Sequence, residues 1–493
     1  MRAAGVAFLA STAAAAALTP FIRSVAHRWG FLDHALSSRK VHGRPIPRLG
    51  GVAIVCAFFA PLAALYFVNS EVGRRFYAEP HHALGLFIGG AIIAALGFFD
   101  DVRGSGAHIK FTVQFGVAAL MYWLGFRIDH IANPFGPPID LGLLGLPFTM
   151  LWIAGVINAM NLIDGLDGLA GGVAFIAVSS TLAIALLNGE PLMLLFTAAL
   201  AGAVLGFLFY NFNPATIFMG DTGSMFLGFV LATTAIQTNH KSSTAVALVV
   251  PIIALGVPIA DTLLAMARRA LRGAPLFSAD RGHIHHRLLA LGLSQRQAVL
   301  VLYGVCAVLG GSALALTFAN TGQAALFLVA LCAAAFLALK KLGYFDLAKV
   351  KQVLQDRRRN GEMRKAIRGV GAVLRVAQTP DQVLAAVREG AAAVGTSSVA
   401  LHTAAITATV HPVAVAEGPD RSASGLTARF SLVGERRDDE YLELRWTDGR
   451  AEIDRDTEIA IEVLCGHIAS ALPRVAERTI TGTILPLRLT GSE

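Results

Sequence analysis

Five stretches of the chain carry residues that could do chemistry, and they lie far apart in sequence. Asp100-Asp101 closes an apolar run. Adjacent carboxylates repel, so the pair calls for a cation or a shared proton; a solvated helix end is the plainer alternative. The stretch NAMNLIDGLDGLAGG (158–172) spaces Asn158, Asn161, Asp164 and Asp167 by three. A helix would set all four near one face, with glycines that admit a second backbone. Polar residues ending an apolar span mark a functional site by default, against the alternative of asparagines bonding between helices. NFNPATIFMGDTGSMFLG (211–228) brings Asn211, Asn213 and Asp221 to a glycine-rich turn before a helix expected from about 223. Free N–H groups at that helix start would seat a phosphate, or Asp221 would simply cap the helix.

The other two stretches are cationic. DRGHIHHRLL (280–289) packs His283, His285, His286 and Arg287 together. No carboxylate or cysteine stands at zinc spacing, so a grip on a diphosphate is the better expectation, with Arg as the bidentate group; a basic interfacial loop is the alternative. SRKVHGRPIPRLGG (38–51) adds Lys40, His42, Arg44 and Arg48. Membrane topology accounts for those charges as well as phosphate binding does. Asp100, Asp101, Asp164, Asp167 and Asp221 together are hard oxygen donors, which suit Mg²⁺, with Mn²⁺ able to substitute. Metal and positive charge beside phosphates are what phosphoryl transfer needs.

The elements that must position these residues are apolar helices. The chain of 493 residues is 55% hydrophobic and 15% charged, where a soluble domain is nearer ~25% charged. Apolar runs long enough to span a bilayer recur, about eleven in number: 3–22, 51–68, 83–99, 109–126, 142–163, 168–187, 191–210, 223–239, 244–267, 298–318 and 322–339. Loop 23–49 carries Arg23, Arg28, Arg39, Lys40, Arg44 and Arg48, and region 268–297 carries Arg268, Arg269, Arg272, Arg281, Arg287 and Arg296, while alternate loops are poor in Lys and Arg. The rich side is cytoplasmic by the positive-inside rule. A cleaved signal peptide at 1–22 would turn both rich loops outward, so that segment reads as a helix. The five chemical stretches are separated by two spans each, so all emerge on the cytoplasmic face. The net charge of +8 follows topology; no basic stripe with interleaved aromatics points to nucleic acid. The four cysteines form no metal or disulfide spacing.

Past residue 340 the composition turns soluble. A basic helical linker is expected over 341–375 and an α+β domain over 376–493, with a helix at 380–394, strands near 398–415, 426–434 and 440–447, a turn at Thr447-Asp448-Gly449 and a last helix at 455–475. The expected class is therefore an all-α polytopic membrane domain, 1–340, followed by a cytoplasmic α+β domain.

PRLGG, the Asp pair, NxxNxxDGxDGL, NxNPAxIFMGDTGS and HIHHRL occur in this order over residues 1–340. The chain thereby resembles the polyprenyl-phosphate N-acetylhexosamine-1-phosphate transferases, and its histidine motif resembles the bacterial branch loading UDP-GlcNAc or a related UDP-sugar. The branch making the first lipid intermediate of peptidoglycan usually has three consecutive histidines; here Ile284 interrupts them. The resemblance implies transfer of HexNAc 1-phosphate from a UDP-HexNAc to undecaprenyl phosphate with release of UMP, in the bacterial inner membrane. It implies Asp221, with Asp164, as Mg²⁺ ligands and Asp100 and Asp101 holding or activating the lipid phosphate. Asn158, Asn161, Asp164 and Asp167 would shape the nucleotide site, and His283, His285, His286 and Arg287 would bind diphosphate or sugar. Lys40, His42, Asn211 and Asn213 complete the expected substrate contacts. Gly104 departs from relatives with a third acidic or amide residue after the Asp pair. The tail more loosely resembles a GAF domain of unassigned ligand, expected to regulate or assemble; the sequence leaves a homodimer open. A lipid-sugar transporter would spread charge along its helices. A CDP-alcohol phosphotransferase would need an Arg and a downstream Asp pair that DGLDGLAGG lacks. A membrane sensor would leave the five loops unexplained.

Overall fold

The computed structural model describes residues 1–33, 45–67, 71–131, 139–240, 249–272, 282–319, 321–344, 347–403, 407–410, 425–432, 440–450 and 452–481. Lys40 and His42 lie outside these. The chain divides into two compact units, 1–269 with 276–345, and 270–275 with 346–493.

The first unit runs α1 (Arg2–Trp29), a short antiparallel pair β1 (Leu32–Asp33) and β2 (Ile46–Pro47), α2 (Gly50–Phe67), α3 (Glu71–Ala78), α4 (Pro80–Arg103), α5 (Ala107–Trp123), a second pair β3 (His130–Ile131) and β4 (Ile139–Asp140), α6 (Gly145–Ile163), α7 (Leu169–Leu187), α8 (Pro191–Asn211), α9 (Gly220–His240), α10 (Val249–Ala254), α11 (Gly256–Arg272), α12 (Ile284–Ala290), α13 (Gln295–Leu316) and α14 (Thr321–Lys341). Among the described residues seven helical segments are long and apolar enough to cross a membrane: α1, α4, 142–163, α7, α8, α13 and 322–341. The protein is polytopic in the membrane. The other four expected spans fall on α2, α5, α9 and the pair α10–α11, of which α5, α9 and the α10–α11 pair are made polar or broken for a local reason. α5 carries His108, Lys110 and Gln114, and α9 carries Asp221 and several threonines. The expected span 244–267 breaks after Ala254, where Pro258, three residues into α11, removes an N–H and crowds the preceding carbonyl.

α9 lies at the centre of the bundle, packed on α2, α4, α6 and α7. Glycine permits that approach: a Cβ on Gly97 of α4 would stand 2.5 Å from the Thr222 Cα, and one on Gly228 of α9 would stand 2.6 Å from the Ile157 Cα. Helices in lipid gain by close packing, so small residues at crossings are expected. Thr233, Thr234 and Thr238, fully buried in α9, donate to carbonyls four residues back at 2.8, 2.6 and 2.7 Å. Their hydroxyls are thus satisfied without a partner helix.

The second unit contains α15 (Leu347–Val376), α16 (Pro380–Ala393), β5 (Ser398–His402), β6 (Thr407–Val410), β7 (Leu426–Ser431), β8 (Tyr441–Trp446) and α17 (Arg455–Thr481). The strands form an antiparallel sheet in the order β6-β5-β8-β7. α16 opens on a capping box, Thr379 with Gln382, and has Pro380 at its first position. The expected linker needs correction. Met363, Ile367, Val370 and Leu374 of α15 are buried in one core with Leu442, Leu444, Ile461, Leu464 and Ile468. Their helical spacing makes the second half of α15 part of this unit's core, and the charges around it hid that stripe.

Candidate active site

The site is assembled at the ends of α4, α6 and α8 and the starts of α5 and α9. Lys110, on the first turns of α5, lies between two carboxylates, 2.8 Å from Asp100 Oδ2 and 2.6 Å from Asp221 Oδ2. Asp100 also accepts from the backbone N–H and hydroxyl of Ser105. Asp221 Oδ1 accepts from Asn161 Nδ2 at 3.0 Å. One cation therefore ties the end of α4 to the start of α9, and Asn161 ties α6 to the same carboxylate.

Asp101, 5% exposed, points the other way. Its Oδ1 accepts from the Asp221 N–H at 2.8 Å, and its Oδ2 accepts from the Thr222 N–H at 2.9 Å and the Thr222 hydroxyl at 2.6 Å. A carboxylate from α4 thus caps α9, supplying negative charge at the positive end of its dipole. This corrects two expectations. The α9 start is no open phosphate seat, because Asp101 occupies it. Asp221 does not cap its own helix. Gly220, with φ +68°, makes the junction possible: a Cβ there would collide with the Arg48 carbonyl and stand 2.7 Å from both Asp101 oxygens.

The four residues spaced by three do not share one helical face. α6 ends at Ile163, so Asp164 and Asp167 lie on the following turn. Asn158, deeper in α6, donates to Gln114 Oε1 at 2.6 Å and to the Ala154 carbonyl, and so bonds between helices instead of lining the cleft. Asp167 Oδ2 accepts from Asn213 Nδ2 and the Ala215 N–H, both at 3.0 Å, which fixes the loop after α8. Asn211 donates to the Ile217 carbonyl. Asp164 has no side-chain hydrogen-bond partner among the described residues. Burial, with Asp221, Asp101 and Asp167 nearby, raises its pKa to about 8. A carboxyl held neutral by crowded carboxylates is the electrostatic mark of a place that favours a cation.

These groups line a cleft of about 480 Å³, shared by Arg48, Asp101, Asp164, Asp167, Asn211, Asn213, Asp221, His286 and Gln295. Arg48 is the one Lys or Arg among the described lining residues, and its buried Nε has no hydrogen-bond partner among the described residues. Its position is set by main chain: the Phe218 N–H donates to the Pro47 carbonyl at 2.7 Å, and the N–H groups of Gly50 and Gly51 donate to Phe218 and Met219 at 2.9 and 2.8 Å. The PRLGG loop is thereby zipped onto the loop before α9.

Comparison with known proteins gives this geometry a family. Residues 83–239 match the model described as glycosyl transferase family 4. The chain is 41% identical over 316 residues to a probable undecaprenyl-phosphate N-acetylglucosaminyl 1-phosphate transferase of Bacillus subtilis (strain 168), covering 64% of this chain and 85% of that protein. The chain belongs to glycosyl transferase family 4. It is also 33% identical over 332 residues to a decaprenyl-phosphate N-acetylglucosaminephosphotransferase of Mycolicibacterium smegmatis (strain ATCC 700084 / mc(2)155), covering 62% and 80%. Identity is 28% over 295 residues to an undecaprenyl-phosphate alpha-N-acetylglucosaminyl 1-phosphate transferase of Escherichia coli (strain K12), covering 59% and 77%.

In this family member the matched segment runs from α4 to α9 and holds every carboxylate named above. The histidine loop lies beyond it, and the structure separates its members. His286 alone of them lines the cleft. His283 is buried and its Nδ1 lies 2.9 Å from Asp261 Oδ2, while the Ile284 N–H donates to Asp261 Oδ1 at 2.8 Å. Ile284 interrupts the histidines because its side chain enters the core. His285 packs against Gly165, and burial beside His286 lowers its pKa to about 4, so it stays neutral. Arg287, expected on the diphosphate, bonds the Leu342 carbonyl and covers the Tyr344 ring and does not line this cleft. Lys110, Asp261 and Gln295 were absent from the expected site. Lys110 and Asp261 had a signal: each is an ionisable residue within an expected span, which calls for a partner.

Proposed function

We propose that the protein transfers HexNAc 1-phosphate, GlcNAc 1-phosphate in the first instance, from a UDP-sugar to undecaprenyl phosphate, leaving undecaprenyl-diphosphate-sugar and UMP. The single observation that carries this is the cleft, where Asp164 and Asp221 share the lining with Arg48 and His286 at the ends of apolar helices. The relatives' names supply the sugar and the polyprenyl acceptor. The positive-inside pattern supports a cytoplasmic cleft in a bacterial inner membrane.

In the reaction, an oxygen of the lipid phosphate attacks the sugar-bearing phosphorus of the UDP-sugar. The bond from that phosphorus to the bridging oxygen breaks, and UMP leaves with that oxygen. A phosphate monoester is largely dianionic at neutral pH, with its second pKa near ~6, so no strong base is required. Asp100 and Lys110 position; Arg48 and His286 offer positive charge and a hydrogen bond to the diphosphate. The donor set fits Mg²⁺. Among the described residues no three acidic or histidine groups form a complete metal cage, and Mg²⁺ is commonly held by one or two carboxylates with substrate phosphates and water. Asp221 and Asp164 would hold it, and bound there it would neutralise charge on the transferred phosphate. The second unit, α+β and compatible with the GAF resemblance, we assign to regulation or assembly.

The test is an assay of purified protein with undecaprenyl phosphate, Mg²⁺ and a panel of UDP-sugars, scored by UMP release. Wild-type protein should release UMP with at least one sugar, and Asp221→Asn should not, while melting as wild type does. Silence with every sugar defeats the proposal, and full activity in Asp221→Asn defeats the metal assignment.

A further inference from the structure

α12 has seven residues and begins without a side-chain cap of its own. So short a helix holds its place only through its neighbours. One neighbour is Asp261, already described. Others are α13, which packs on it, and the end of α14. There the Gly343 N–H bonds the Lys340 carbonyl at 2.9 Å and the Tyr344 N–H bonds the Leu339 carbonyl at 3.0 Å, with Gly343 at φ +75°. This is a Schellman cap, which turns the chain sharply and leaves the Leu342 carbonyl facing outward. Arg287 of α12 fills that carbonyl through Nη1 at 2.5 Å, and its guanidinium carbon lies 3.9 Å from the Tyr344 ring centroid. The Tyr344 hydroxyl donates to the Gly282 carbonyl at 2.8 Å, just before the helix. Arg268 approaches the same ring at 5.4 Å. Both sides of the loop that presents His286 to the cleft therefore rest on one aromatic side chain.

We infer that Tyr344 is a positioning residue: through Arg287 and Gly282 it holds α12 so that His286 faces the cleft. Its ring takes the guanidinium on its face, where a planar cation is attracted to the π-system, and its hydroxyl fixes the loop's entry. Neither group touches the cleft itself. The kinetic consequence rests on the proposed function; the structural one does not.

The experiment uses the full chain in detergent and compares Tyr344→Phe, Tyr344→Ala, Arg287→Ala and the Tyr344→Ala/Arg287→Ala double variant. Amide hydrogen exchange over residues 283–290 is read beside exchange over α9, which serves as the folding control. Tyr344→Ala should speed exchange in the loop about tenfold, the scale of losing a cation–π contact and a hydrogen bond, with α9 unchanged. It should raise KM for the UDP-sugar by a similar factor and move kcat little. Tyr344→Phe keeps the ring and should retain most of the protection. The double variant should fall short of the product of the two single losses, because the residues share the cation–π contact while each keeps one bond of its own, Tyr344 to Gly282 and Arg287 to Leu342. Unchanged loop exchange in Tyr344→Ala overturns the inference whatever the activity, as do Tyr344→Ala and Arg287→Ala losses that multiply. Absent UMP release by wild type, with the exchange result as expected, defeats the proposed function and leaves Tyr344 in its role.

Discussion

Asp101→Asn separates a carboxylate that builds the site from one that acts in it. The side chain receives three hydrogen bonds from the α9 start, one on Oδ1 and two on Oδ2. An asparagine can keep its oxygen where Oδ2 stood and still accept from both Thr222 donors. Its amide nitrogen then faces the Asp221 N–H, donor against donor. A buried donor left unsatisfied costs about 1–3 kcal/mol. Removing the negative charge from a helix N-terminus costs roughly a further 0.3–2 kcal/mol. The expected loss is therefore roughly 1–5 kcal/mol in the anchoring of α9. Asp221 sits on that first turn, so transfer should fall by about 10² as its carboxylate moves. The assays are thermal melting, hydrogen exchange over residues 221–225 and UMP release. All three should change together, whereas Asp221→Asn should change the last alone. An Asp101→Asn protein that melts and exchanges like wild type yet has lost transfer would refute the reasoning, because Asp101 would then act on the substrate directly.

Two further predictions follow from the cleft. Asp164 is raised to about 8, and Mg²⁺ needs its ionised form, so apparent Mg²⁺ affinity should fall about tenfold per pH unit below that pKa and level off above it. Without Mg²⁺, folded protein binds the Asp164 proton more tightly than unfolded chain does, so this group's contribution to stability is lost as pH rises through about 8. Calorimetric titration with Mg²⁺ at several pH values checks the sign, and Asp164→Asn should flatten the dependence. Arg48→Ala should raise KM for the UDP-sugar about tenfold, the scale of one charge-assisted hydrogen bond, and Arg48→Lys should recover part of it. An unchanged KM in Arg48→Ala would remove that residue from the diphosphate.

Much of the fold was legible because lipid imposes one rule on every segment: an apolar run of sufficient length must be a helix with its own backbone bonds. Segments that obeyed it, such as 83–99 within α4 and 191–210 within α8, fall where hydropathy puts them. The parity of the loops drew five stretches to one face, and the cleft draws described residues from all five: Arg48, Asp101, Asp164, Asp221 and His286 among them. The residues that hydropathy misplaced are the polar ones inside apolar segments. Lys110 was counted as part of a span, yet its partners Asp100 and Asp221 belong to two other helices. Asp261 was likewise absorbed into a span, although α10 and α11 are separate pieces and Asp261 holds His283. Pairings across that many residues have no local periodicity to betray them.

The subtler failure concerns roles. A helix start, an aspartate beside it and a histidine–arginine loop were each assigned to a phosphate, and each inference was sound in isolation. Helix termini and guanidinium groups bind whichever partner lies nearest, and this chain supplies partners of its own. Asp101 occupies the α9 start. The Leu342 carbonyl and the Tyr344 ring occupy Arg287. Among the described residues Asp164 and the Arg48 Nε remain without a hydrogen-bond partner; Asp164 stood in a specific motif, whereas membrane topology accounted for Arg48 as well as phosphate binding did. Recognition of a charged substrate is favoured where the protein has left charge unsatisfied, since only there does binding relieve a desolvation cost already present. On that ground we propose that Asp164 and Arg48, which line one cleft, mark the substrate-facing surface better than the density of polar residues along the chain does.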